Sequence, residues 1–145
     1  MGAVFEYFAA ADDATAAAAL ELPSLCALGA LDVKGIEPAV QLGTLEALLT
    51  ERSYEEVSSD GRWAKLVAST PGHEVCVVTL SDGLTRALAA GEPEAFAQAA
   101  EQWARTEEFD ERADTAVLTE FLVDLCALAR QALQRDRRLY CRFVV

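Results

Sequence analysis

Carboxylates are the most abundant chemical resource of this chain. Four of them stand where they could meet across a cleft. Glu6 lies inside an apolar strand, Glu37 opens a helix, and Glu107 and Glu108 follow Trp103. Two carboxyl groups with pKa values pushed apart can act as general acid and general base. In an acid-rich chain most such groups are solvated surface, which is the plainer reading of the set. Asp32-Val-Lys34-Gly-Ile-Glu37-Pro holds one of only two lysines, between two acids. It reads as an ion pair fixing the loop before a helix, or as a contact in which Lys34 and Gln41 hold a small ligand or partner. Trp103-x-x-Thr106-Glu107-Glu108-Phe109 reads as core anchoring or as a protein-binding rim of aromatics and exposed acids.

Other chemistry has little to build on. His73 is the only histidine and sits in a Pro-Gly turn, where it reads as a solvated loop residue. Cys26, Cys76, Cys126 and Cys141 are far apart and form no C-x-x-C, so metal spacing is missing. Cys76, Cys126 and Cys141 fall in apolar runs and read as small core hydrophobes. There is no G-x-S-x-G, no Walker loop and no G-x-G-x-x-G. No cofactor is expected.

The charge sets the rest. With 24 acidic against 12 basic side chains, the formal net charge is −12. Such a surface repels phosphate backbones, which argues against nucleic acid as a partner. Residues 130–145 hold five arginines against Asp136, a net of +4, so that the −12 total leaves −16 on the remaining 129 residues. A basic end can complement a helix C-terminus, or it can serve as a docking patch for an anion or an acidic partner. No apolar run approaches the ~18 residues of a membrane span. Glu6, Asp12 and Asp13 precede the first cation, Lys34, the reverse of a secretory signal. The expectation is a cytoplasmic protein with reduced thiols.

A single α+β domain over residues 1–145 must position these groups. Alternating or β-branched runs predict strands at Ala3–Ala9, Ala64–Ser69, Glu74–Leu80 and Leu139–Val145, with a short extended piece reaching Gly35. The expected sheet is small, mixed or antiparallel, with about four strands and about five helices mainly on one face. Asp12 or Asp13 caps an alanine-rich helix, and Pro38 opens one whose buried stripe is Leu42, Leu45, Leu48 and Leu49. Gly43 inside that helix costs about 1 kcal/mol, which predicts a close neighbour there. Tyr54–Val57 adds a turn, and helices follow from Ser81 or Asp82 and from Pro93. The longest runs from Asp114 to Arg135, with Val117, Leu118, Phe121, Leu122, Leu125, Leu128, Ala129, Ala132 and Leu133 on its apolar face. The greasy end, Leu139 to Val145, belongs inside a sheet.

Asp32-x-Lys34 leading into a helix with Leu45-x-x-Leu48-Leu49-Thr50 resembles the YfbM-like family of bacterial proteins. Those carry an Asp-x-Asp-Lys-x-Trp segment and a leucine helix ending Leu-Leu-Thr-Gly. Small acidic relatives with K-G-x-[DE]-P-x-x-Q-L-G and T-E-E-F are matched by Lys34–Gly43 and Thr106–Phe109. Gly35-Ile36 replaces the tryptophan region, and Glu51 stands where glycine would be. The resemblance implies an α+β fold with a final helix and strand, and carries no chemistry over.

The charge therefore points to a non-enzymatic, immunity- or inhibitor-like module for a basic protein partner. The alternatives are a small-molecule site or carboxylate enzyme near Glu6, Lys34, Gln41 and Glu107, and a chain that self-associates; monomer and homodimer both stay open.

Overall fold

The computed structural model describes residues 4–106 and 114–144. It is an α+β fold built on one antiparallel sheet. The strands are β1 (Val4–Ala10), β2 (Leu31–Lys34), β3 (Leu66–Ser69), β4 (Val75–Thr79) and β5 (Arg138–Val144). Their order across the sheet is β2-β1-β5-β4-β3. The helices are α1 (Asp13–Ala18), α2 (Val40–Thr50), α3 (Tyr54–Ser58), α4 (Asp82–Ala90), α5 (Pro93–Ala104) and α6 (Thr115–Gln134).

The last strand is the central one. β5 lies between β1 and β4, so Tyr140, Cys141, Arg142 and Phe143 have a ladder neighbour on either side. Alternation then assigns the faces. Phe5, Tyr7, Val78, Leu139 and Cys141 turn to a core shared with α2, α4, α5 and α6. Phe8, Ala10, Val77 and Tyr140 turn the other way, under Ala16, Ala19 and Leu25 of α1 and two short 3-10 turns.

Several differences from the sequence reading have local causes. The sheet has five strands, because the extended piece before Gly35 pairs with β1 from Val4↔Lys34 to Tyr7↔Leu31. So short an extended piece does not reveal in sequence which strand it pairs with. β3 begins at Leu66 instead of Ala64, because Ala64 is in the left-handed region at φ 47° and the ladder is irregular between Leu66 and Ala68. Val117 and Leu133 are exposed at the two ends of α6, and only the residues between them reach the core.

Helix ends follow the capping rules. Asp12 accepts from Thr15 N at 2.8 Å, Ser81 from Leu84 N at 3.1 Å and Asp114 from Ala116 N at 2.9 Å. α6 closes in a Schellman turn: Arg137 N donates to Ala132 O at 2.7 Å and Asp136 N to Leu133 O at 3.2 Å, with Asp136 at φ 55°.

Candidate functional site

Among the described residues, those singled out in the sequence do not converge on one cleft. Glu6 faces Asp32 across the β1–β2 ladder, and Lys34 faces Val4. These three side chains therefore share the face that also carries Phe8 and Tyr140. Asp32 and Lys34 are exposed on the edge strand. Glu6 is held by Arg142: Nε donates to Glu6 Oε1 at 2.9 Å and Nη2 to Oε2 at 3.3 Å. Nη1 of the same guanidinium donates to Ala19 O at 2.8 Å and Leu22 O at 2.6 Å.

Glu37, Gln41 and Trp103 come together on the opposite side of the sheet, as one structural joint. Glu37 N donates to Gln41 Oε1 at 2.6 Å, while Glu37 accepts from Ala39 N at 2.9 Å and from Gln41 N at 2.5 Å. That reciprocal arrangement satisfies the Gln41 N–H in the first turn of α2 and the Ala39 N–H just before it, where Ala39 has no side chain to cap the helix. Trp103 is fully buried, donates from Nε1 to Gln41 O at 2.9 Å and stacks on Phe121 with centroids 6.3 Å apart. Glu107 and Glu108 lie outside the described residues. His73 sits at φ 59° in the β3–β4 turn, and its Nδ1 is 2.9 Å from Ser69 Oγ, which locks the exposed hairpin.

Two polar clusters were not read from the sequence. Arg62 reaches Asp13 with Nη2 at 2.9 Å and Nη1 at 3.3 Å, and Tyr140 Oη donates to Asp13 Oδ1 at 2.7 Å. The Arg62 and Tyr140 hydrogen bonds hold the Asp13 carboxyl down at about 2. Burial, with Asp13 next, pushes the Tyr140 phenol up to about 12. The second cluster centres on Glu46, whose Oε1 accepts from Ser81 Oγ and whose Oε2 is buried with no partner. Burial raises its pKa above the ordinary 4.5. Helical periodicity gives no signal for either, because each partner is remote in sequence.

Three of the surface concavities among the described residues bear on function. An apolar cleft of about 400 Å³ at the sheet end is lined by Phe5, Pro38, Ala39, Val78 and Phe143, with Glu37 at its side. A groove of about 570 Å³ on α5 is lined by Glu92, Glu94, Gln98 and Glu101. A third, of about 410 Å³, lies between the start of α4 and the end of α6, among Asp82, Arg86, Asp136, Arg137 and Arg138. Among the described residues no group of His, Cys, Asp or Glu could hold a metal ion, and no helix is long and apolar enough to cross a membrane. The chain matches no family model, and no curated protein or solved structure matches it.

Proposed function

We propose that this protein is a non-enzymatic binding module that recognises a basic protein partner through the exposed face of α5. The observation that carries the reading is the groove on that helix. Glu92, Glu94 and Glu101 line it, no cation does, and none of the three has a cationic partner within 4 Å among the described residues. Four acids outside this face, Glu6, Asp13, Glu56 and Asp82, each sit against an arginine. Carboxylates left unscreened on one face, in a chain of net charge −12, attract a cationic surface and speed its approach.

The test is capture of partners from the host lysate at low and at high salt, with the wild type and with a Glu92→Gln/Glu94→Gln/Glu101→Gln variant. A basic partner held at low salt, released at high salt and not held by the variant is expected. A partner retained by the variant at high salt would overturn the assignment to α5.

A second reading is favoured by the apolar cleft, whose volume of about 400 Å³ is in the range of small-ligand sites. It takes over if capture is empty under both conditions. An apolar probe that perturbs Phe143 and Val78 resonances would support it.

A further inference from the structure

We infer that the cavity between α4 and α6 is an oxyanion site, built to take the phosphate group of a small phosphorylated ligand. This goes beyond the α5 reading and uses a different surface. The sequence leaves two roles open for the arginines of residues 130–145: complementing a helix C-terminus, or binding an anion. The structure separates them residue by residue. Arg130 does close a helix end, donating to Ala89 O at 2.9 Å and Gly91 O at 2.8 Å beyond α4. Arg142 is spent on Glu6 and two carbonyls inside the fold. Arg137 and Arg138 do neither.

They line a concavity of about 410 Å³ together with Arg86 of α4. Arg86 and Arg137 make no side-chain hydrogen bond or ion pair among the described residues. Among the described residues Arg138 pairs with Asp82, at 3.6 Å, so that one of the three lining arginines is matched by one of the two lining carboxylates. The other, Asp136, belongs to the Schellman turn that fixes the chain path on which Arg137 and Arg138 are carried. Three guanidinium groups against two carboxylates leave this cavity net positive in a chain of net charge −12. Asp82 and Thr85 bring the first turn of α4 into the wall and Leu133 brings the last turn of α6, so the two helix ends offset and the arginines carry the positive charge.

Phosphate is the chemistry that fits. The arginine fork presents paired N–H groups at the spacing of phosphate oxygens, and a dianion gains from several forks at once. The volume exceeds that of the bare ion and suits a small ester, within the roughly 300–1,000 Å³ of ligand sites.

The experiment follows 15N-labelled protein, including the arginine Nε–H resonances, during titration with inorganic phosphate and with glucose 6-phosphate. Ionic strength is held constant with sodium chloride, and phosphatidic acid vesicles form a third arm. Shifts confined to Arg86, Arg137, Arg138 and the first turn of α4 are expected, with affinity at least about tenfold weaker in Arg86→Gln/Arg137→Gln. Both replaced side chains are exposed and make no hydrogen bond or ion pair among the described residues, so the fold should survive. An Arg52→Gln/Arg105→Gln control matches the charge change away from the cavity and should bind as wild type. Shifts at these positions in the wild type stand as evidence even if the variant misfolds. A tighter response to the ester than to phosphate assigns the ligand to a phosphorylated metabolite. Vesicle binding without response to either soluble probe overturns the small-ligand form. No shift in either soluble arm, or equal affinity in variant and wild type, overturns the site.

Discussion

Arg142 grips Glu6 with two hydrogen bonds, 2.9 and 3.3 Å long, between directly paired positions of β5 and β1. The arginine side chain is 10% exposed and the glutamate 22%. Such a pair contributes little net stability against well-packed apolar residues, yet breaking it strands a charge. Here the stranded groups would also include the Ala19 and Leu22 carbonyls, which share Nη1. The pair therefore ties the 3-10 turns after α1 to the centre of the sheet.

Arg142→Leu should destabilise the fold by about 3–5 kcal/mol in urea unfolding, the usual cost of leaving one buried charge alone. Glu6→Leu/Arg142→Leu should recover part of that loss, since no charge is then buried. Recovery stays incomplete because two carbonyls have lost their donor. A single variant within about 1 kcal/mol of wild type would show that the pair is only a surface contact.

The Asp13–Arg62–Tyr140 cluster gives stability two pH edges. Asp13 is depressed from 3.8 to about 2, so its contribution is present above pH 4 and is lost as pH falls towards 2. Tyr140 is raised from 10.0 to about 12, so its contribution is present below pH 10 and is lost as pH rises towards 12. Asp13→Asn should flatten the acid edge, and Tyr140→Phe should flatten the alkaline one. Unfolding midpoints across pH 2–12 check both. Unchanged profiles in both variants would mean that solvent already screens the cluster.

Local pattern made the α+β class legible, and non-local pairing concealed the candidate sites. β1, β4 and β5 are β-branched or aromatic runs and α6 has a 3.6-residue period, each long enough to stand out, and of the two readings of Trp103 its burial matches core anchoring. β2 was legible only as a short extended piece, because four residues do not specify the strand they pair with. Glu6 looked odd on an apolar face, but its partner is 136 residues away. No sequence pattern specifies that register. Glu46 gave no signal, since an acid next to a leucine stripe normally reads as surface. The arginine cavity was legible only as composition: the run of cations was visible, but which of them turn inward depends on where β5 enters the sheet.

Glu46 makes a prediction of opposite sign to Asp13. Burial raises its pKa, Asp60 adds to that, and the Ser81 hydrogen bond, Arg52 and Arg86 act against it. The folded state thus holds its proton more tightly than the unfolded chain. Its contribution is present below the ordinary 4.5 and is lost as pH rises through the raised value. Glu46→Gln stays neutral and keeps an acceptor for Ser81, so its stability relative to wild type should improve as pH rises from 4 to 7. Parallel stability curves for the two proteins would sink the idea that Glu46 titrates out of a buried state.

Gly43 decides between two helix effects of known size. Replacing a mid-helix glycine by alanine gains about 1 kcal/mol of helix propensity. At Gly43, however, a Cβ would stand 2.8 Å from Trp63 Nε1 and 2.9 Å from Tyr54 Cε2. Those rings are rigid and pack edge-on against each other, with centroids 6.0 Å apart at 88°. Neither can yield without moving the other, and overpacking of this kind costs about 1–3 kcal/mol. Gly43→Ala should therefore be net destabilising by up to about 2 kcal/mol, with a change in Trp63 emission. In a Trp63→Ala background the nearer contact is gone, so the same replacement should become neutral or stabilising, which urea unfolding of the four proteins would read out. A stabilising Gly43→Ala in the wild type would mean that the loop bearing Trp63 moves away from α2 at little cost.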